Sequence, residues 1–143
     1  MPRLLVAVGI ILVVVFGTIY YFYRPAQANV TENNSMKEVT LRSVDVEEFS
    51  ASIKEEGAIL LDIRTPEEYS LSKIPGAVNI NYYDTFFREE LGKLDKTKKY
   101  NIYCNSGKRS TLTLQIMQGM GFENVIDLKG GIQAWIQSGK GVD

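Results

Sequence analysis

From Glu38 onward, short unbroken apolar runs alternate with stretches in which apolar residues recur every three or four positions. The first pattern predicts strands and the second predicts helices. Val39-Thr40-Leu41 predicts a short first strand. Asp45 with Glu48 three residues on has the form of a helix N-cap, and the helix is expected to run to about Glu56, closed by Gly57. The continuous apolar run Ala58-Ile59-Leu60-Leu61-Asp62-Ile63 predicts a strand covered on both faces. Thr65-Pro66-Glu67-Glu68 predicts a helix start, with Thr at the N-cap, Pro at N1 and Glu at N3. Ile74-Pro75-Gly76 turns into a strand over 77–80. A helix over 84–94 is expected to face Phe86, Phe87, Leu91 and Leu94 inward, and Lys96, Lys98 and Lys99 read as a solvated connection.

The strand Tyr100-Asn101-Ile102-Tyr103 leads straight into Cys104. A helix over 110–120 follows, with Leu112, Ile116, Met117 and Met120 on one face and Gly121 as its stop. Asn124 to Leu128 predicts the last strand, and Gly130-Gly131 precedes a short helix through Trp135. Strands and helices in alternation predict an α/β fold, a mainly parallel sheet with helices on both faces. Ligands of such sheets gather at the carboxyl ends of the strands, and Cys104 stands at one.

Residues 1–28 follow a different pattern. From Leu4 to Tyr23 there is no charge, and at about 1.5 Å per residue that run is roughly 30 Å long, the thickness of a bilayer's hydrocarbon core. Arg3 and the small-x-small triplet Ala26-Gln27-Ala28 fit a cleaved signal peptide. The length of the run, with Tyr20, Tyr21 and Tyr23 at its end, equally fits an N-terminal membrane anchor through residues 4–23. A helix buried in a soluble protein is the third reading. The first two send the remainder across a membrane, so the expected location is exported, periplasmic or extracytoplasmic, either secreted or tethered by one transmembrane helix. Residues 29–38 are polar and read as a linker, leaving 39–143 as the folded domain.

Composition narrows the chemistry. The chain holds 16 basic and 17 acidic residues, and the only charges in its first 28 are Arg3 and Arg24, so the domain itself is mildly acidic. That balance gives no global field to hold nucleic acid. There is one cysteine and no histidine. An internal disulfide is therefore impossible, and Cys-His or Ser-His catalysis and the usual zinc ligand sets are excluded. No metal or other cofactor is implied. Chemistry must rest on Cys104, carboxylates, Lys, Arg, hydroxyls and backbone dipoles.

The segment Cys104-Asn105-Ser106-Gly107-Lys108-Arg109-Ser110 has a physical logic of its own. A cysteine at a strand end, a short loop and a helix start can turn several N–H groups toward one point. Gly107 lets the loop close tightly, and Lys108 and Arg109 add positive charge. Such a setting favours thiolate over thiol and attracts a small anion. An anionic donor with a weak S–S bond fits: attack on its outer sulfur leaves a persulfide on Cys104, which a thiol or cyanide then removes.

This loop resembles the active-site loop of rhodanese-family sulfurtransferases. Leu60-Leu61-Asp62-Ile63-Arg64 with Glu67-Glu68-Tyr69, Ile74-Pro75-Gly76-Ala77-Val78-Asn79-Ile80, and Gly130-Gly131-Ile132-Gln133-Ala134-Trp135 resemble further family motifs, in the family's order, over about residues 39–139. The chain is similar to the single-domain, exported or membrane-anchored members. The resemblance implies a five-stranded, mostly parallel sheet and a persulfide on Cys104. It also implies donor contacts from the loop, which comprises Asn105, Ser106, Gly107, Lys108, Arg109 and Ser110. Charged loops in the family go with thiosulfate-like donors, which favours Lys108 and Arg109. Asp62 and Arg64 are expected to form an ion pair, either orienting this loop or serving the strand-end turn. Glu68 and Tyr69 read as helix capping and core packing, and Gly130-Gly131 as a tight backbone passage. Lys73 stands where the family usually has His before the Ile-Pro-Gly turn. Arg109 follows Cys104 after four residues, where cysteine phosphatases of the same general fold use five; this counts against phosphatase or arsenate reductase activity. Two functions stay open: a sulfurtransferase with small donor and acceptor, and a membrane-tethered persulfide carrier delivering sulfur to a protein acceptor.

Overall fold

The computed structural model describes residues 39–143; the expected signal peptide or anchor (1–28) and linker (29–38) lie outside the described residues. Five strands, β1 (Thr40–Val44), β2 (Ile59–Asp62), β3 (Val78–Asn79), β4 (Lys99–Tyr103) and β5 (Asn124–Leu128), form one sheet in the order β1-β5-β4-β2-β3. Every pairing is parallel. Five helices join them: α1 (Val46–Ser52), α2 (Pro66–Leu71), α3 (Phe87–Gly92), α4 (Lys108–Gly119) and α5 (Gly131–Gln137). The expected α/β fold is thus the observed one. Among the described residues no helix is long and apolar enough to cross a membrane.

The strand order determines where a ligand can sit. The chain leaves β2 toward β3 on one side and leaves β4 toward β5 on the other. The carboxyl ends of the adjacent strands β2 and β4 therefore flank the switch point, where parallel sheets leave a crevice. Cys104 follows β4, and Arg64 and Glu68 follow β2.

Side-chain alternation divides the core between the two faces. Leu60, Tyr103, Ile126 and Leu128 pack with Phe49 of α1 and with Ile132 and Trp135 of α5. Leu61, Tyr100, Ile102, Cys104 and Val125 pack with Phe87 and Leu91 of α3 and Met117 of α4. On β4 this is period 2 in its simplest form: residues 100, 102 and 104 look one way, 101 and 103 the other. Phe49 is fully buried and meets Trp135 edge-on at 6.4 Å, a contact worth about 1 kcal/mol beyond its area.

Several boundaries differ from the sequence reading. The strand β1 starts at Thr40, leaving Val39 60% exposed. Asp45 does cap α1, accepting from the Glu48 N–H at 3.0 Å, but the helix ends at Ser52, not Glu56. Lys54, Glu55 and Ala58 instead donate to carbonyls three residues back, which tightens the end into turns before Gly57. Helix α3 begins only at Phe87, because Asp84 accepts from the Phe86 N–H at 2.8 Å in a preceding turn; Phe86 points outward, 62% exposed. Lys99 belongs to β4 and pairs with Glu55. Helix α4 starts at Lys108, two residues early, and its buried residues are Ser110, Thr113 and Met117. Leu112 lies off that buried face and is 48% exposed.

Candidate active site

After Tyr103 the chain turns around a single sulfur. The Gly107 N–H points at Cys104 Sγ, 3.1 Å away, and the Ser110 hydroxyl lies 3.6 Å from the same atom and 3.1 Å from the Gly107 carbonyl. Gly107 takes φ +89° as the residue before α4, a left-handed conformation that a side chain would strain. The loop carbonyls face the other way. Ile132 N–H donates to Cys104 O at 2.8 Å and Gln133 N–H to Asn105 O at 3.2 Å. With the Cys104 and Asn105 carbonyls engaged by α5, the backbone group that meets the sulfur is an N–H, that of Gly107.

Gly130-Gly131 makes this docking possible. A Cβ on Gly131, at φ +60°, would lie 2.6 Å from Asn105 O and nearer still to Cys104 O. A Cβ on Gly107 would press on Gly130 N at 3.0 Å. The two glycine-bearing loops therefore seat on each other with no room for a methyl group. The expected tight passage is confirmed, and its purpose is to brace the cysteine loop.

The charged residues divide into two groups. Arg109, in the first turn of α4, places two nitrogens on the two carboxylate oxygens of Glu68, both at 2.8 Å, while Tyr83 lies under its guanidinium at 5.5 Å. Glu68 also forms the expected capping box with Thr65. The Arg109 hydrogen bonds pull the Glu68 carboxyl down to about 2 against the opposing effect of burial. Arg109 is raised in turn, first by those hydrogen bonds, with the Glu68 and Cys104 charges adding to it. Lys108 is exposed and makes no ion pair among the described residues, as is true of Lys129. Ser106 is exposed, Asn105 half-buried, and Ser110 fully buried.

Asp62 and Arg64 do form an ion pair, and it is buried, at 0% and 4% exposure. Arg64 Nε and Nη2 both reach the carboxylate, Nη2 at 2.6 Å, and Nη2 also donates to Ser72 O at 2.5 Å. Burial alone would lower the Arg64 pKa, but the Asp62 hydrogen bonds and charge outweigh it and leave it raised. The guanidinium stacks 5.6 Å from the Tyr103 ring, whose hydroxyl accepts from the Ile74 N–H at 3.1 Å. The hydrogen bonds of this pair hold the turn after β2 and the end of α2; its link to the cysteine loop is through Tyr103, the residue before Cys104. Lys73 lies over the Tyr69 ring at 5.2 Å.

Three contributors escaped the sequence reading. The Glu68–Arg109 pair joins α2 to α4 across the switch point, and only a long-range pairing signal would have shown it. Tyr83 lies in a loop with no pattern to mark it. Asp127, buried on β5, accepts from Ser43 at 2.7 Å and from Thr111 at 3.0 Å, fixing the first turn of α4 to the sheet; a lone Asp inside an apolar strand was the available cue.

Comparison with known proteins agrees with this geometry. The family described as "Rhodanese-like domain" matches residues 45–138. A sulfurtransferase of Allochromatium vinosum is 32% identical over 100 residues, covering 69% of this chain and 92% of that protein. The thiosulfate:glutathione sulfurtransferase of Saccharomyces cerevisiae is 28% identical, covering 78% and 89%. The adenylyltransferase and sulfurtransferase of Debaryomyces hansenii is also 28% identical, but the match spans only 25% of its length. A crystal structure of a rhodanese-related protein from Thermoplasma volcanium superimposes with a TM-score of 0.63 at 31% identity, covering 71% of this chain and 97% of that one.

Proposed function

The chain belongs to the rhodanese-like domain family, and from that premise we propose that it moves a sulfane sulfur from thiosulfate or a similar anionic donor to a thiophilic acceptor through a persulfide on Cys104. In the first step the Cys104 thiolate attacks the outer sulfur of the donor. A Cys104 S–S bond forms, the donor's S–S bond breaks, and its electron pair leaves on sulfite. In the second step cyanide or a thiol attacks the terminal sulfur, and the pair returns to Cys104. Sulfite leaves already ionised, so no general acid is required, consistent with a chain that has no histidine.

The observation that carries this reading is the inward Gly107 N–H at 3.1 Å from Sγ, in a loop whose Cys104 and Asn105 carbonyls are held by α5. That donor is placed to hydrogen-bond the sulfur that gives and receives the electron pair in both steps. Lys108, exposed at the loop's rim, supplies the local positive charge that meets an anionic donor. The test is direct. Incubated with thiosulfate and cyanide, the protein should release thiocyanate, and Cys104→Ala should release none.

A protein acceptor is the second reading. Tyr83, 67% exposed and stacked against the Arg109 guanidinium, gives the site an exposed aromatic edge that a small acceptor does not need. Sulfur that leaves Cys104 for a protein thiol but not for cyanide would select this reading. We also propose an exported location, supported by the uncharged run from Leu4 to Tyr23. N-terminal sequencing of protein recovered from its own host tests it: a start near residue 29 indicates cleavage, and a cytoplasmic, full-length product overturns it.

A further inference from the structure

Two cations stand in the cysteine loop, but they are not equally available. Lys108 is exposed and unpaired among the described residues, whereas Arg109 is held by a two-pronged carboxylate contact, both prongs 2.8 Å long, and backed by an aromatic ring. A bidentate arginine–carboxylate contact satisfies the same donors an oxyanion would use. We propose that Glu68 withholds Arg109 from the donor and so sets the charge selectivity of sulfur loading: among the described residues Lys108 is the loop cation left without an ion pair, and a dianion gains less over a monoanion than the sequence's two basic residues would give it. This rests on the sulfur-transfer reading and assigns Glu68 as a positioning residue, acting through Arg109 and not on the donor.

The geometry makes Glu68 suited to this. It is anchored at its own end, because the same carboxylate accepts from the Thr65 N–H at 3.0 Å within the capping box of α2. It is only partly buried, its side chain 31% exposed against 16% for Arg109. A solvated pair of this kind is worth at most about 1 kcal/mol, a cost an incoming dianion is able to meet. By contrast, the buried Asp62–Arg64 pair is closed to solvent and could not exchange partners.

Glu68→Gln separates the charge from the cap. Gln at N3 serves a capping box as Glu does, so the helix start is retained while Arg109 loses its ionic partner. Loading is followed in a single turnover with two donors that leave sulfur by the same step, thiosulfate as dianion and benzenethiosulfonate as monoanion. Glu68→Gln should raise the second-order loading constant for thiosulfate about fivefold, raise that for benzenethiosulfonate less, and lose the gain at high salt. Adding Arg109→Gln should abolish the gain. A selectivity ratio that is unchanged or lower overturns the proposal. So does an equal fall with both donors, which would mark Glu68 as structural only. A second readout needs no turnover: thiosulfate binding to Cys104→Ala by calorimetry should tighten when Glu68→Gln is added. If the wild type never loads yet this binding tightens, the sulfur-transfer reading fails and the role of Glu68 stands; if loading occurs and binding does not tighten, the role of Glu68 falls.

Discussion

Two arginine–carboxylate pairs flank the switch point, and their chemistry is the same while their settings differ. Asp62–Arg64, at the end of β2, has side chains 0% and 4% exposed; Glu68–Arg109, between α2 and α4, has side chains 31% and 16% exposed. The first lies within the packed base of the site, where Arg64 Nη2 also donates to Ser72 O. The second lies at the rim of the loop that holds Cys104. The difference teaches that burial, not bond length, decides what such a pair does. A buried pair cannot lose one partner without leaving an unsolvated charge, so it fixes geometry. A rim pair gives up little when broken, so it can regulate.

The largest effect that would break this comparison is expected at the buried pair. Asp62→Ala leaves Arg64 charged and without its carboxylate, and should cost about 3–5 kcal/mol of stability, read from denaturant unfolding. A loss below about 1 kcal/mol would place both pairs in the same class. Next comes the brace beneath the loop. Gly131→Ala puts a methyl group against the carbonyls of Cys104 and Asn105 at a positive φ, and should cost about 2–3 kcal/mol while slowing sulfur loading. Wild-type stability with normal loading would show that the two glycine loops are not locked.

The rim pair should show itself through pH. The Glu68 carboxyl sits at about 2 in the folded protein, below its ordinary 4.5. A depressed carboxyl stabilises above its unfolded value, and that contribution is lost as pH falls through the folded one. For a partly exposed pair the contribution is at most about 1 kcal/mol. The stability gap between wild type and Glu68→Gln should therefore be present at pH 5 and close toward pH 2, as followed by unfolding at each pH; a gap that widens on acidification would contradict the assignment. The smallest effect belongs to Lys108→Ala, which should leave the melting temperature unchanged and slow loading by thiosulfate about threefold, with the difference vanishing at high salt.

Local signals in the sequence were enough for the frame. The continuous run in β2, the Thr65 capping box and the strand leading into Cys104 each report on neighbours within a few residues, and each appears where expected. Gly107 and Gly130-Gly131 were legible as backbone positions. Their mutual seating was not, because it joins segments more than twenty residues apart. The same holds for Glu68: its cap was visible in Thr65-Pro66-Glu67-Glu68, but its partner Arg109 lies 41 positions away. Leu112 and Phe86 were misplaced for a different reason. Phe86 precedes α3, which begins three residues later than expected, and the inward face of α4 runs through Met117 and through Ser110 and Thr113, small polar residues that hydropathy does not mark, so Leu112 falls outside it. The two basic residues of the loop looked equivalent in sequence and are not, since only the fold brings a carboxylate to one of them.

The central claim is that Cys104 accepts a sulfur atom, although it is 1% exposed at the floor of its loop. Intact-mass measurement of the folded protein after brief exposure to thiosulfate tests this most directly. The account predicts a gain equal to one sulfur atom, absent in Cys104→Ala and removed by cyanide. An unchanged mass in the wild type, with the thiol also resistant to alkylation under native conditions, would mean that the sulfur is sealed off and that the account is wrong.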